Sequence, residues 1–379
     1  MNYAERSVEL HKKYTGKFEI ASKVPLETMD DLAVAYTPGV AEPCKVIAAD
    51  PSAAMVLTMK GNTVAVVTDG SAVLGLGNIG PLAALPVMEG KAILYKKFAG
   101  IDAMPICLST QNTEEIITAI KAIAPTFGGI HLEDISAPRC FEIEERLERE
   151  LDMPVMHDDQ HGTAVVVLAG LMNALKVVQK ELKDVRIVMS GAGAAGTAIA
   201  WLLREAGATK ISLLDSKGVM GTGRDGMNPW KEKLAQAISD SATTSGMNLA
   251  DAVRGADVFI GVSQPNLLSQ EMVKSMATGA IVFAMANPVP EIMPEEARSA
   301  GAVVVASGRS DFPNQVNNVL AYPGMFLGAL KHGVKHFSLP MKVNAARALA
   351  ALVPNPTADK ILPSVFESGV AEAVAAVIV

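Results

Sequence analysis

Two pairs of adjacent acidic residues are the strongest candidates for chemistry in this 379-residue chain. Glu133 and Asp134 follow a short apolar run, and Asp158 and Asp159 stand in the segment 157–163. Neighbouring side chains on a regular strand point to opposite faces, so a pair converges on one ion only where the strand ends. Both pairs lie at predicted strand ends. Carboxylate oxygens without thiolates favour a hard divalent ion, Mg²⁺ or Mn²⁺.

The residues alone also allow a structural role for these acids. Asp159 could cap the helix that is predicted to run on from Gly162, and acidic pairs often only face solvent. His157 and His161 have a spacing that can suit zinc, but the zinc helix motif arranges its glutamate differently between the histidines. Structural histidines are therefore the better interpretation than zinc ligands.

A glycine-rich turn at residues 191–196 predicts a dinucleotide-binding site. It matches the pattern GxGxxG, follows an apolar strand and opens a predicted helix. Such a turn lets the backbone approach a pyrophosphate, which then faces the helix N-terminus. The residues of the turn are Gly191, Ala192, Gly193, Ala194, Ala195 and Gly196. A purely structural glycine turn is the weaker alternative, because the strand and helix around it suit the ligand.

The identity of the nucleotide stays open. Asp215 ends the next predicted strand, about 20 residues after the turn, where an acid ordinarily hydrogen-bonds a ribose hydroxyl and favours NAD. Ser216 and Lys217 follow directly, and a hydroxyl with an ammonium group could hold the 2′-phosphate of NADP. The sequence therefore predicts NAD or NADP without choosing between them.

The elements that position these groups alternate between strands and helices. The predicted elements of the first part lie at 63–68, 104–109, 113–124, 129–134 and 141–151. Strand-like runs with helices between them recur from 185 to 307, which indicates a doubly wound parallel sheet. A further helix is predicted at 364–379. The predicted fold class is α/β with two domains: a mixed α/β N-terminal domain over 1–153, and a Rossmann-type dinucleotide domain with C-terminal helices over 154–379.

Composition narrows the range of partners. The net charge is −7 and no block of Lys and Arg occurs, which argues against nucleic acid. The three cysteines are Cys44, Cys107 and Cys140. They form no CxxC pair, so we expect reduced thiols and a cytoplasmic location. Residues 1–14 lack the apolar segment of a secretory signal. The apolar run at 162–178 is too short for a membrane span and predicts a buried helix.

Several further motifs join those above, and together they resemble the malic enzymes, in particular the short bacterial form. The resemblance runs in order from about residue 14 to residue 324. The motifs are AYTPGVAEP at 35–43, VTDGSAVLGLGN at 67–78, MEGKAILY at 88–95, HLED at 131–134, HDDQHGT at 157–163, the glycine turn, MANP at 285–288 and NNVLAYPG at 317–324.

The resemblance implies an enzyme that converts malate to pyruvate and CO₂ with NAD or NADP and with Mg²⁺ or Mn²⁺. It implies that Tyr36 protonates carbon 3 of the enol, and that Lys91 contacts the substrate and removes the proton of the C2 hydroxyl. The implied metal ligands are Glu133, Asp134 and Asp159. The implied substrate contacts are Asn287, which would also touch the cofactor, Asn317 and Asn318. A homodimer or larger assembly is implied as well.

A lysine acts as a base near neutral pH only if burial or nearby positive charge lowers its pKa from about 10.4. We therefore expect a lowered pKa for Lys91. One departure from the family pattern concerns Ala72, which stands where longer members carry an arginine that binds a substrate carboxylate. Arg139 is the candidate substitute.

Three other functions share parts of this pattern. A malolactic reaction, in which bound NAD is recycled and lactate leaves, would use the same residues. An enzyme resembling amino-acid dehydrogenases would give no reason for a carboxylate metal site. A catalytically inactive nucleotide-sensing protein is disfavoured because Tyr36, Lys91 and the three implied ligands are all present.

Overall fold

The computed structural model describes residues 3–73, 75–238 and 240–379 and contains two β-sheets with helices packed around them. Leu74, in the motif at 67–78, lies outside the described residues. The strands are β1 (Thr63–Thr68), β2 (Asp102–Cys107), β3 (Gly129–Leu132), β4 (Val155–His157), β5 (Arg186–Ser190), β6 (Lys210–Asp215), β7 (Gly218–Val219), β8 (Val258–Gly261), β9 (Ile281–Ala284) and β10 (Val304–Ser307).

The helices cover both sheets. They are α1 (Tyr3–Tyr14), α2 (Met29–Ala35), α3 (Ala41–Ala49), α4 (Ala54–Leu57), α5 (Pro81–Ala99), α6 (Thr113–Ile123), α7 (Arg139–Glu150), α8 (Asp158–Val178), α9 (Ala194–Glu205), α10 (Pro229–Ala237), α11 (Leu249–Ala252), α12 (Gln270–Lys274), α13 (Pro294–Ser299), α14 (Tyr322–His332), α15 (Leu339–Ala351) and α16 (Val370–Ala375).

The first sheet has the strand order β2-β1-β3-β4, and all its neighbours are parallel. Every residue of β1 is buried, which is the pattern of a parallel strand covered by helices on both faces. Leu132 pairs with His157 at the ends of β3 and β4. The residues that follow these two strands therefore leave the sheet side by side.

The second sheet has the order β10-β9-β8-β5-β6-β7, and only β7 runs antiparallel. Strand order reverses between β8 and β5, and such a reversal leaves a crevice beyond the carboxyl ends of the strands. The predicted doubly wound α/β class is confirmed.

Helix α8 joins the two sheets. It is long and apolar enough in composition to span a membrane, yet 67% of its most apolar window is buried inside the protein. Asn173, on its buried face, donates hydrogen bonds of 2.9 Å to the carbonyl oxygens of Ala350 and Ile361. The buried helix predicted at 162–178 is present and begins four residues earlier, at Asp158.

Two predicted elements are shorter in the structure. The strand predicted at 129–134 ends at Leu132, because Asp134 has a positive φ of 54° that breaks the extended chain. The helix predicted at 364–379 is reduced to α16, which begins after Gly369 at a φ of 85°. Helix α7 begins two residues before its predicted start, at Arg139.

Candidate active site

The carboxyl ends of β3 and β4 bring the acidic pairs together. Glu133 and Asp134 follow β3, and Asp159 lies in the first turn of α8, directly after β4. The backbone N–H of Asp134 donates a 2.9 Å hydrogen bond to Oδ2 of Asp159, which fixes one loop to the other. Carboxylate oxygens of Glu133, Asp134 and Asp159 lie within 4.8 Å of one another.

This group of three carboxylates fits a hard divalent cation. Its donors are all oxygens, which Mg²⁺ and Mn²⁺ prefer over nitrogen or sulfur. Burial and then the nearby charge of Glu133 raise the pKa of Asp159, so the crowded carboxylates repel one another without a cation. Glu133, Asp134 and Asp159 are therefore the residues that would hold the metal.

Lys91 lies against this group, on the buried face of α5. Its ammonium nitrogen is 2.5 Å from Oδ2 of Asp158 and 3.2 Å from Oε1 of Glu133. It also stands 4.5 Å from the centre of the Tyr322 ring. Lys91 is only 8% exposed, so it is a buried ammonium group and not a surface cation.

The lowered pKa expected for Lys91 is not produced by the residues around it, and lowering by the charge of a bound cation stays a prediction. Burial disfavours the ammonium form, but the charges of Asp158 and Glu133 outweigh burial and raise the pKa well above its usual value. The expectation rested on burial and positive charge, whereas in the structure two carboxylates face the amine. Lys91 is therefore a charged ammonium group at neutral pH.

A second layer of buried polar groups supports Glu133. Its Oε2 is 2.6 Å from Nε2 of His131, and Nδ1 of His131 is 2.8 Å from the hydroxyl of Tyr95. Burial lowers the pKa of His131 to about 3, so the imidazole is neutral. His131 and Asp158 stood in the motifs at 131–134 and 157–163, but no spacing rule showed which partners they would take.

Tyr36 is not brought to this cluster. It ends α2 and is 66% exposed. Within the described chain its phenol has no hydrogen bond, ring contact or ion partner at Lys91 or at the three carboxylates. The tyrosine and the lysine that the resemblance pairs are therefore apart within one copy of the protein.

The glycine turn has the geometry that a pyrophosphate needs. Gly191 has a φ of 111°, in the region that favours glycine. A Cβ atom on Gly196 would overlap the carbonyl oxygen of Gly191, so only glycine lets α9 pack this close to the turn. A Cβ on Gly193 would meet nothing within 4 Å, which leaves open space beside the N-terminus of α9.

Asp215 is held by two cations that the sequence analysis missed. Its Oδ2 accepts hydrogen bonds from Arg224 and, at 2.8 Å, from Nζ of Lys231, and its Oδ1 accepts one from the backbone N–H of Lys217 at 2.9 Å. Burial opposes ionisation, but the bonds from Lys231 and Arg224 outweigh it and lower the pKa of Asp215 to about 2. Ser216 is exposed beside it.

The candidate asparagines take different positions. Asn287 follows β9 and is exposed, and its carbonyl oxygen lies where a Cβ on Gly75 would be, so it meets the loop of the 67–78 motif. Asn318 lies beside Gly162, and it is Gly162 that belongs to the second turn of α8. The Asn317 side chain instead accepts a hydrogen bond from Val319 N–H and caps a short 3₁₀ turn.

Ala72, where the sequence departs from the family pattern, lies next to the three candidate metal ligands. Its N–H donates a 2.9 Å hydrogen bond to the carbonyl oxygen of Asp134. Arg139 forms a 2.9 Å ion pair with buried Asp69 and donates to the carbonyl oxygen of Gln111. The guanidinium of Arg139 is therefore already paired with Asp69. That Arg139 binds a substrate carboxylate in place of the missing arginine stays a prediction.

Comparisons with known proteins give the same family for both parts of the chain. The family model "Malic enzyme, N-terminal domain" matches residues 15–148, and "Malic enzyme, NAD binding domain" matches residues 160–379. The malic enzyme of Pyrococcus horikoshii has a solved structure that is 47% identical, with a TM-score of 0.95 over 100% of this chain and 90% of that one.

Curated relatives carry names for both nucleotides. The bifunctional malic/malolactic enzyme of Bacillus subtilis is 54% identical over 99% of this chain and 92% of that protein. The NAD-dependent malic enzyme of Geobacillus stearothermophilus is 55% identical over 99% of this chain and 78% of that protein. The NADP-dependent malic enzyme of Halomonas elongata is 47% identical over 94% of this chain and 84% of that protein. The chain therefore belongs to the malic enzyme family.

Proposed function

We propose that the protein oxidises and decarboxylates L-malate to pyruvate and CO₂ with reduction of NAD or NADP. The observation that carries the proposal is the meeting of three carboxylates with Lys91 at the carboxyl ends of β3 and β4. Relatives with about half of their residues identical are named malic enzymes, with NAD or with NADP. Mg²⁺ or Mn²⁺ is part of the proposal, because the donor set consists of carboxylates.

Each group in the site has a distinct task. When bound, the nicotinamide accepts the hydride, and the divalent cation stabilises negative charge on the substrate oxygens. Glu133, Asp134 and Asp159 would hold the cation. The turn at 191–196 would hold the pyrophosphate, and Asn287 and Asn318 would contact the substrate from the second sheet. The substrate lies in the crevice between the two sheets.

Lys91 has two tasks: as an ammonium group it binds the substrate, and after giving up a proton it accepts the proton of the C2 hydroxyl. As an ammonium group it attracts a dicarboxylate substrate. Its pKa is held up by Asp158 and Glu133, and Glu133 is also one of the three metal-ligand candidates. If Glu133 held a cation, one of the two charges that hold the Lys91 pKa up would be compensated and the pKa would fall, so Lys91 could pass a proton to Asp158 and become the neutral amine that acts as the base. Lys91 and Asp158 then titrate as a pair.

Tyr36 supplies the last proton in this proposal, to carbon 3 of the enol. A Tyr36→Phe variant should lose pyruvate formation more severely than it loses the reduction of oxaloacetate, because only the first of these needs the phenol proton. Equal losses in the two partial reactions would remove Tyr36 from this role.

The malolactic reaction is the second candidate, because the Bacillus subtilis relative is named bifunctional. The deciding experiment supplies malate with NAD and NADP separately, with and without Mn²⁺, and follows absorbance of the reduced nicotinamide together with pyruvate and lactate. Metal-dependent pyruvate with equal reduced cofactor supports the first function. Lactate without net reduced cofactor supports the second. Neither product would refute both.

Assembly and location belong to the same proposal. A homodimer or larger homo-oligomer is supported by the large exposed apolar surface of residues 3–59. A cytoplasmic location is supported by three free cysteines in the structure.

A further inference from the structure

A cavity between the two sheets brings together aromatic and charged side chains that the proposed reaction does not use. It has a volume of about 320 Å³ and lies between α7, α8, α9, α10 and α15, and is here called the α7–α15 cavity. Pockets for small molecules measure about 300–1,000 Å³, so a small ligand fits. Lys91, the three candidate metal ligands, Asp215 and the glycine turn are not part of its lining. A ligand in this cavity would therefore be distinct from malate and from the dinucleotide.

Four aromatic rings line the α7–α15 cavity. They belong to Phe141, Trp201, Trp230 and Phe337, and they include both tryptophans of a chain that is only 4% aromatic. The ring centres of Phe141 and Trp230 are 5.6 Å apart, and the two ring planes differ by 34°. Aromatic faces pack well against another ring and also attract an ammonium group. The walls therefore favour a ligand that contains a ring.

Lys342, on α15, is the lysine of this cavity. It is 5% exposed, and within the described chain its ammonium has no hydrogen bond and no ion-pair partner within 4 Å. The nitrogen is not sealed from solvent, so it reaches the open space that Lys342 lines. Burial lowers the Lys342 pKa, and the charges of Glu144 and Glu148 only partly oppose this effect. A buried ammonium without a close anion is costly, so this position suits the carboxylate of a ligand.

Glu148, on α7, has the opposite requirement. It is half-buried and lines the same cavity, and its carboxylate has no hydrogen bond and no cation within 4 Å in the described chain. Burial and then the charge of Glu144 raise the Glu148 pKa to about 7. Glu144 itself is engaged, because it accepts hydrogen bonds from the N–H of His157 and from the amide of Gln160. Glu148 therefore suits the ammonium group of a ligand.

Glu148 and Lys342 influence each other without forming an ion pair. Each shifts the pKa of the other toward its charged form, yet their charged atoms are more than 4 Å apart. A ligand with both an ammonium and a carboxylate group gives each residue a partner of opposite charge. A ligand with one charge satisfies one residue and leaves the other without a partner. The two residues therefore favour a zwitterion.

We propose that the α7–α15 cavity binds a free amino acid with an aromatic side chain. The carboxylate of the ligand pairs with Lys342, its ammonium pairs with Glu148, and its ring packs between the two tryptophans and Phe141. Helix α7 packs on the first sheet, while α9, α10 and α15 belong to the part that follows it. The bound amino acid therefore contacts both parts of the chain. This inference does not depend on the proposed reaction.

The intrinsic fluorescence of the wild-type protein tests binding directly, because both tryptophans line the cavity. L-phenylalanine is the probe, since tryptophan can be excited where phenylalanine does not absorb. We expect a saturable change of the emission. Two probes with the same ring and one charge each, 2-phenylethylamine and 3-phenylpropionate, should bind about 10–100-fold more weakly, as the loss of one charged hydrogen bond predicts. No saturable change, or equal affinity for the three probes, would overturn the proposal.

Two variants assign the charges of the probe to their partners. In Lys342→Met the carboxylate has no partner, so L-phenylalanine should bind no better than 2-phenylethylamine. In Glu148→Gln the ammonium has no partner, so L-phenylalanine should bind no better than 3-phenylpropionate. Lys331→Met and Glu142→Gln are the matched controls, because neither residue lines the cavity, and both should bind as the wild type does. Preferences that survive in both cavity variants would overturn the proposal.

Folding and the neighbouring dinucleotide site need separate measurements. The affinity of each variant for NAD shows that it is folded, and if Lys342→Met does not fold, the wild type and Glu148→Gln still decide. Thr197, which lines the cavity, follows Gly196 of the glycine turn directly. The titration is therefore repeated at saturating NAD, and the phenylalanine signal should remain. Complete loss of the signal would place the probe in the dinucleotide site and would also overturn the proposal.

Discussion

The ammonium nitrogen of Lys91 lies 2.5 Å from Oδ2 of Asp158, and the two residues come from α5 and from the first turn of α8. The pair is buried, and Glu133 contacts the same ammonium from the side of the metal-ligand group. A buried charge that loses its partner is costly. The two carboxylates therefore keep Lys91 in the site and also decide when it gives up its proton.

The first prediction concerns Lys91. The variant Lys91→Ala should lower kcat for malate by about 10²–10⁴-fold, the usual range for loss of an acid or base group. Its dissociation constant for the dinucleotide, measured by fluorescence titration, should stay within error of the wild type. The variant Lys91→Arg keeps the charge but cannot act as a base, so it should be equally slow. Near-normal turnover of either variant would remove Lys91 from the mechanism.

The second prediction concerns the metal. Chelation by EDTA should abolish malate oxidation, and added Mn²⁺ should restore it. The variant Asp159→Asn should weaken Mn²⁺ binding by at least about 10–100-fold, because loss of a group that only supports a metal ligand already costs that much. Electron paramagnetic resonance of free Mn²⁺ measures the binding. The exposed Asp184 is the matched control, and Asp184→Asn should bind Mn²⁺ normally. Unchanged affinity in Asp159→Asn would place the ion elsewhere.

The third prediction concerns the choice of nucleotide. The variant Asp215→Ser should shift the ratio of kcat/KM for NADP over NAD upward by about 10–100-fold, or roughly 1.4–2.8 kcal/mol. The reason is that Arg224 and Lys231, now paired with Asp215, would be left free to bind a 2′-phosphate. The exposed Asp225 is the neighbour of Arg224 in the chain, and Asp225→Ser should leave the ratio unchanged. A downward shift in Asp215→Ser would mean that the cations need the carboxylate to hold their positions.

The fourth prediction concerns stability and pH. Burial and then the charge of Glu144 raise the pKa of Glu148 from 4.5 to about 7. Between these values the folded state binds a proton that the unfolded state has lost, so the contribution of Glu148 is complete below about pH 4.5 and is lost as pH rises through about 7. Glu148→Gln removes this loss. Relative to the variant, the wild type should lose on the order of 2–3 kcal/mol of unfolding free energy between pH 4.5 and 8, at about 1.4 kcal/mol per pKa unit.

Urea unfolding at four pH values between 4.5 and 8 measures this difference. Glu145 is exposed on the same helix, so Glu145→Gln should follow the wild-type curve. Parallel curves for the wild type and Glu148→Gln would show that Glu148 ionises as easily in the folded protein as in the unfolded chain.

The features that follow from local pattern were predictable. The acidic pairs converge because each follows a strand, and parallel neighbours end at the same edge, so Glu133 and Asp159 could be placed together from the sequence. The turn at 191–196 was predictable for a similar reason, since its glycines are required by backbone geometry.

The features that depend on distant contacts were not predictable. Lys91 and Asp158 are 67 residues apart, and no spacing shows that they would pair. Arg224, in the loop after β7, and Lys231, in α10, reach Asp215 from a segment with no motif, so no pattern indicated these two cations. The exposure of Tyr36 depends on how residues 3–62 are arranged as a whole, which no short pattern encodes.

Helix α8 gives the two ligand sites a common support. Its first turn carries Asp158 and Asp159, and its length packs along α9, which starts at the glycine turn. Gln160 and His161 of α8 line the α7–α15 cavity with Thr197 and Ala198 of α9, so a cation at Asp159 and a dinucleotide at the glycine turn would lie at the same end of this helix pair. If the cation changes the affinity for the nucleotide by some factor, thermodynamic linkage requires that the nucleotide changes the affinity for the cation by the same factor. Titrating each ligand with and without the other should give two equal ratios of dissociation constants. Any preferred order of binding would then reflect rates and not equilibrium affinities.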